Sequence, residues 1–217
     1  MNQSAPPANT SNQLTLPANA FTKFDPAPDA QFYFQPRLVN HIDAGAIAAV
    51  TAIYREILPP GGDILDLMSS WVSHLPPEID YRSVTGLGLN PQELAANPRL
   101  SQHFVQDLNL QPLLPWENNA FDATAICVSV QYLQRPIEVF SEIARVLRPA
   151  APLVVTFSNR CFPTKAVAIW RALQGPQQQR LVAAYMQAAG FQNLTQHSHV
   201  PETSDPLWTV IGRAPDI

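Results

Sequence analysis

The stretch ILDLMSSWVSHLP, Ile64 to Pro76, reads as a buried strand that carries an acid, Asp66, near its end and runs into a loop. In α/β proteins such a loop usually holds glycines that seat a cofactor. Here it holds none. A dinucleotide's pyrophosphate must lie hard against a glycine-rich turn and a helix N-terminus, so NAD and FAD are poor fits to this loop. Three further strand ends carry polar groups: Gly88-Leu89-Asn90, Asp107-Leu108 and Ser129 to Tyr132. In an open α/β sheet the ligand sits beyond the carboxyl ends of the strands, so these four sets would converge on one site. No nucleophile and base stand at the spacing of a catalytic dyad.

Other reactive residue types give weaker signals. Cys127 and Cys161 lie in apolar or strand-like segments without a CxxC pair, and read as small core residues of a reducing compartment. His197 and His199 share one face of a strand but have no third ligand, so no metal site is assigned. A net charge of −4 without any Lys/Arg cluster argues against nucleic acid as a partner. With 46% hydrophobic residues and no apolar run near the ~18 to 20 residues of a span, the chain reads as soluble rather than membrane-inserted. The opening MNQSAPPANTSNQLTLPANAF has neither a basic start nor an apolar core, which predicts a cytoplasmic protein. Its scarcity of large apolar residues predicts a flexible segment over residues 1–25, ahead of a single domain over 26–217. Oligomeric state is not encoded in any visible pattern.

The elements that must position these residues follow from periodicity. Ile47, Val50, Ile53, Tyr54 and Ile57 recur at helical spacing behind Asp43 as N-cap, and Pro59-Pro60-Gly61-Gly62 ends that helix. Strands are expected at 63–68, 84–89 and 103–105. Asn90-Pro91-Gln92-Glu93 reads as a capping box opening a helix. The near-continuous apolar run 121–130 predicts a strand covered on both faces, and Ile137, Phe140, Ile143, Ala144 and Leu147 predict the helix after it. A strand at 153–157, a helix through Leu181, Val182, Tyr185 and Met186 closing at Gly190, and strands at 191–199 and 207–213 complete the chain. The alternation predicts a doubly wound, Rossmann-like α/β fold: a mostly parallel seven-stranded sheet with an antiparallel edge strand.

From about Asp43 onward the chain resembles the class I S-adenosylmethionine-dependent methyltransferases, of the methyltransferase type 11-like kind. The run LPWENNAFDATAICVSVQYLQRPIEVFSEIARVLRP is similar to that family's Leu-Pro aromatic turn, Phe-Asp strand opening and Glu-Ile-Ala-Arg-Val-Leu helix. DLMSSWVSHLP with GLGLNPQELAANP, VQDLN and TFSNRCF looks like a narrower group associated with photosynthetic organisms, whose members are mostly described only as methyltransferase-like. The resemblance implies S-adenosyl-L-methionine as cofactor and a small-molecule methyl acceptor.

Set against the family pattern, three loop glycines fall on Met68, Ser70 and Val72, and the ribose-binding carboxylate falls on Gly88. A β-branched Val72 resists positive φ, so a changed loop path is expected. Ser69 and Ser70 would donate to the cofactor's carboxylate, with Asp66 receiving its amine; the plain alternative is that the serines only cap the segment before Pro76. Asn90, beside Leu89, would be a weaker ribose partner or simply the helix cap. Asp107 matches the acid that accepts from the adenine amino group, with Leu108 supplying backbone and Ser129 lying at the fourth strand end. On the acceptor side the resemblance implies Tyr33, Arg37 and His41 folding over the cofactor, joined by Tyr132 and, at the mouth, Asn159 and Arg160. Both arginines lining the pocket would favour an acidic acceptor. Two functional readings follow: a small-molecule methyltransferase, or an inactive pseudo-methyltransferase acting as a binding protein. A cleft filled by Trp71 and Met68 would favour the second.

Overall fold

A computed structural model of the chain describes residues 16–216. Asp43 accepts from the Ala46 N–H and opens the first long helix, Ala44–Ile57 (α2), after a single turn at Asp29–Phe32 (α1). Strands β1 (Asp63–Leu67) and β2 (Ser83–Gly88) follow, then helix α3 (Pro91–Ala96) and β3 (Gln102–Val105). The apolar run yields β4 (Ala123–Cys127), followed by a 3-10 turn at Val130–Tyr132, helix α4 (Pro136–Val146) and β5 (Pro152–Phe157). Helices α5 (Ala168–Ala172) and α6 (Gly175–Ala188) and strands β6 (Gln192–His199) and β7 (Leu207–Arg213) finish the chain.

The seven strands form one sheet in the order β3-β2-β1-β4-β5-β7-β6. The first five pair in parallel and β7 runs antiparallel, slotted between β5 and β6 at that edge. Burial is the reason the central strands read as unbroken apolar runs: every residue of β5 is buried, and so is every residue of β1 except Asp63. Helix α2 packs Ala46, Val50 and Tyr54 against Ile64, Ala125 and Val154 on one face, and α4 and α6 pack Phe140, Ile143, Val182 and Tyr185 on the other. The order reverses between β1 and β4, which opens a crevice at their carboxyl ends.

Several expectations shift. The fourth strand is shorter than 121–130: Phe121 makes only an isolated bridge to Leu147, and the chain turns at Val128, whose φ of 48° leaves the strand region. Helices α1 and α5 carried no periodic signal because neither has two full turns. Residues 1–15 of the N-terminal segment lie outside the described residues. Residues 16–25 are docked: the Ile169 and Ala168 N–H groups donate to Ala20 and Thr22, and Asp25 donates to Thr164. What holds them is Lys165, wholly buried, which pairs with Asp25 at 3.0 Å and Asp29 at 3.4 Å and donates to the Ala27 carbonyl at 2.7 Å. A buried lysine persists only with such partners. Composition could not reveal it, because the partner sits 140 residues away.

Candidate functional site

A cavity of about 310 Å³ opens at the carboxyl ends of β1, β2, β3 and β4, roofed by the segment that carries Asp29, Tyr33, Arg37 and His41. Of the residues singled out from sequence, Met68, Ser69, Ser70, Leu89, Asn90, Asp107, Leu108, Ser129, Tyr33, Arg37, His41, Tyr132 and Arg160 all line it. Asp66 and Asn159 do not. Asp66 lies beneath the cavity, beside a recess of about 50 Å³ that Trp71 and His74 also line. Asn159 is exposed and accepts from its neighbour Ser158, because the chain turns outward after β5.

The loop after β1 takes a new path, and one contact explains two departures at once. Met68 keeps the left-handed conformation of a glycine, at φ 57°, whereas Ser70 and Val72 do not. The Ser69 N–H then donates to Leu87 at 2.8 Å, laying the loop across the end of β2. A Cβ on Gly88 would stand 2.3 Å from the Ser69 carbonyl oxygen. No acid fits at Gly88 because the rebuilt loop occupies the space.

The polar groups of this end are engaged with one another. Ser69 Oγ and Ser73 Oγ each donate to Asp66 Oδ2 at 2.6 Å. Burial pushes the Asp66 carboxyl up to about 6, against the lowering effect of the two serines. Ser70 Oγ donates to Glu93 at 2.6 Å, and the other Glu93 oxygen accepts from the Arg37 N–H at 2.7 Å. The capping-box reading is thus corrected by half: Asn90 Oδ1 caps α3 through Gln92 and Glu93, but the Glu93 carboxylate is turned into the cavity rather than back to the cap. Asn90 Nδ2 donates to the Tyr33 and Phe34 carbonyls, so this side chain latches the roof and has no donor left for a ribose. Likewise the two serine hydroxyls are donors to protein carboxylates. Glu93 was missed because a cap position explained it fully in sequence.

The opposite end is open. Asp107 Oδ1 accepts from the Asn109 N–H at 2.9 Å, while Oδ2 and the Leu108 N–H take no partner among the described residues. Ser129 Oγ is buried without a hydrogen-bond partner. Asn109, which sequence reading passed over, ties this end to the roof by donating to Asp29 at 2.9 Å and to the Tyr132 carbonyl at 3.0 Å.

Toward the mouth the lining is aromatic. Tyr132 and Phe162 stack at 6.1 Å, and Tyr33 meets both edge-on. Tyr132 Oη accepts from the Phe162 N–H, and burial pushes its phenol up to about 12; burial raises Tyr33 as well. Both stay neutral hydrogen-bonding groups near neutral pH. Arg160 is paired with Asp205 at 2.8 Å through Nε and is exposed at the mouth, whereas Arg37 presents a donor, Nη1, that is buried and has no partner among the described residues. Burial pushes the Cys127 thiol up to about 12, which makes it an inert wall.

Residues 69–155 match the family model described as a methyltransferase domain. No curated protein matches the sequence. Among solved structures, the 4+2 cyclase SpnF aligns with a TM-score of 0.59 at 17% identity over 77% of this chain and 81% of its own. An S-adenosylmethionine-dependent methyltransferase from Mesorhizobium loti aligns with a TM-score of 0.55 at 16% identity, over 75% and 96%. Phosphoethanolamine N-methyltransferase 2 of Haemonchus contortus, solved with S-adenosyl-L-methionine, aligns with a TM-score of 0.57 at 16% identity, over 76% of this chain and 52% of its own. No helix among the described residues is long and apolar enough to cross a membrane.

Proposed function

For a chain that has the class I methyltransferase fold and matches the methyltransferase-domain family over residues 69–155, we propose S-adenosylmethionine-dependent methyl transfer to a small molecule. The observation that carries this reading is the open cleft. Trp71 is turned away, its Nε1 donating to the Val39 carbonyl at 3.0 Å, and Met68 lines the cavity without filling it. Two buried polar atoms of the lining residues, Ser129 Oγ and Arg37 Nη1, have no partner among the described residues, and each costs about 1 to 3 kcal/mol unless a ligand supplies one.

The residues present fit the cofactor at one end more fully than at the other. Asp107 Oδ2 and the Leu108 N–H offer the acceptor and donor pair that an adenine edge requires, and Ser129 lines the same cavity with its Oγ buried behind the wall. No carboxylate is available to the ribose at Gly88, which weakens binding about ten- to hundredfold relative to a site that has one. When bound, the sulfonium of S-adenosylmethionine supplies the methyl group. The chain's part is positioning and exclusion of water: the Tyr33 to His41 roof covers the crevice, and the Asn90 and Asn109 amides hold it in place. Glu93 and Asp29 are both hydrogen-bonded within the protein, so neither is a free general base, whereas His41 lines the same cavity and burial holds its imidazole below the ordinary range, as a neutral group able to take a proton.

Calorimetric titration with S-adenosylmethionine and with S-adenosylhomocysteine tests the reading. Micromolar binding of both is expected, with about 2.7 kcal/mol of added stability at a hundredfold excess over Kd. Absence of binding at millimolar ligand would refute it.

A further inference from the structure

Most charged side chains around the cavity already have a protein partner. Asp29 is held by Lys23 and Lys165, Arg160 by Asp205, and Glu93 by Ser70 and the Arg37 N–H. Arg37 differs. Its Nη2 donates to the Phe32 carbonyl at 2.9 Å, but Nη1 is buried with no acceptor. The guanidinium is fixed in that pose by three rings, its carbon lying 4.6 Å from the centre of Phe32, 5.4 Å from Phe162 and 5.8 Å from Tyr33. A dehydrated cationic donor held rigidly at a cavity wall is a vacant half of a charge-assisted hydrogen bond.

Resting on the methyltransferase reading, we propose that Arg37 Nη1 anchors a carboxylate of the methyl acceptor, and that the acceptor is a small planar carboxylic acid lying against the rings of Tyr132 and Phe162. The charge balance favours one carboxylate. A cationic acceptor would be repelled by Arg37 and would find Glu93 and Asp29 already engaged, whereas a dianionic phosphate would set two charges against a single guanidinium beside those acids. The flat body follows from the walls: Tyr33, Tyr132 and Phe162 line this part of the cavity, and an aromatic acceptor buries its apolar surface against such rings. The competing source of a carboxylate is the methionine end of the cofactor itself, and the experiment separates the two.

The protein saturated with S-adenosylhomocysteine is titrated calorimetrically with benzoate, 4-hydroxybenzoate and cinnamate, and with the three corresponding neutral amides. At least one acid is expected to bind about tenfold or more tighter than its amide. Arg37→Gln should abolish that preference, and Arg37→Lys, which keeps the charge without the fork, should restore part of it. Meanwhile the affinity of Arg37→Gln for S-adenosylhomocysteine should stay within about threefold of the parent. Thermal melting of both variants establishes that they are folded. Three results overturn the proposal: no acid binds better than its amide, the preference survives Arg37→Gln, or Arg37→Gln weakens S-adenosylhomocysteine about tenfold or more, which assigns Arg37 to the cofactor. If the parent chain takes up no S-adenosylhomocysteine, the methyltransferase reading fails by itself. The acid-over-amide preference and its dependence on Arg37 are then read on the free protein, where their absence overturns the anchor too.

Discussion

The two ends of the cavity differ in where their hydrogen bonds go. At the β1–β2 end, Ser69 and Ser73 close on Asp66, Ser70 closes on Glu93, and Asn90 is engaged through both its oxygen and its nitrogen. At the β3–β4 end, Asp107 Oδ2, the Leu108 N–H and Ser129 Oγ have no partner among the described residues. One end is therefore stabilised by its own polar network, and the other leaves these polar groups without a protein partner among the described residues. The glycine-free loop after β1 and the bare glycine at position 88 are not independent features. Both follow from one loop path, with Ser69 lying over Gly88.

This contrast can be broken most forcefully at Gly88. Gly88→Asp restores the acid that the family pattern places there, yet its Cβ would meet the Ser69 carbonyl at 2.3 Å. A loss of about 3 kcal/mol in stability, read by urea denaturation, is expected, with no gain in S-adenosylmethionine affinity. A variant that is both stable and a tighter binder would show that the loop yields.

Asp66 supplies a pH signature of the closed end. Its carboxyl is raised from an ordinary value near 4 to about 6, so the folded state binds the proton more tightly than the unfolded state does. Its contribution to stability is then full below about pH 4 and declines as pH rises to about 6, by on the order of 3 kcal/mol. Asp66→Asn lacks this titration. The stability of the variant relative to the parent should climb between pH 4 and 6 and be level above, as followed by denaturant midpoints across that range. A constant difference would mean that Asp66 is not dehydrated.

Glu93→Gln makes a smaller change. It keeps the shape but weakens two charge-assisted bonds, to Ser70 Oγ and the Arg37 N–H, and should cost about 1 to 2 kcal/mol of stability. Local loosening of the roof, seen as faster amide exchange around Arg37, should accompany it.

The sequence carried the scaffold because parallel strands buried on both faces read as apolar runs and capped helices announce their starts. β7 was legible to the residue, and the N-cap roles of Asp43 and Asn90 were too. Residues at strand ends were also legible, since topology alone sends Asp107, Leu108 and Ser129 to one crevice. The direction of hydrogen bonds was not legible. Ser69 and Ser70 were expected to face a ligand, but their partners are Asp66 and Glu93, and nothing local in the chain links Ser70 to a residue on the next helix. Arg37 and Arg160 looked alike in sequence. Only the fold brings Asp205 to one and leaves the other unpaired.

The most direct test of the difference between the two ends is a calorimetric titration of S-adenosylhomocysteine into Asp107→Ala and Ser70→Ala, side by side with the parent. Asp107→Ala should weaken binding about ten- to hundredfold with little change in melting temperature, and Ser70→Ala should lower the melting temperature while leaving affinity within about threefold. Equal affinity in the parent and Asp107→Ala, or a large loss in Ser70→Ala, would contradict the account and place the ligand on the closed end instead.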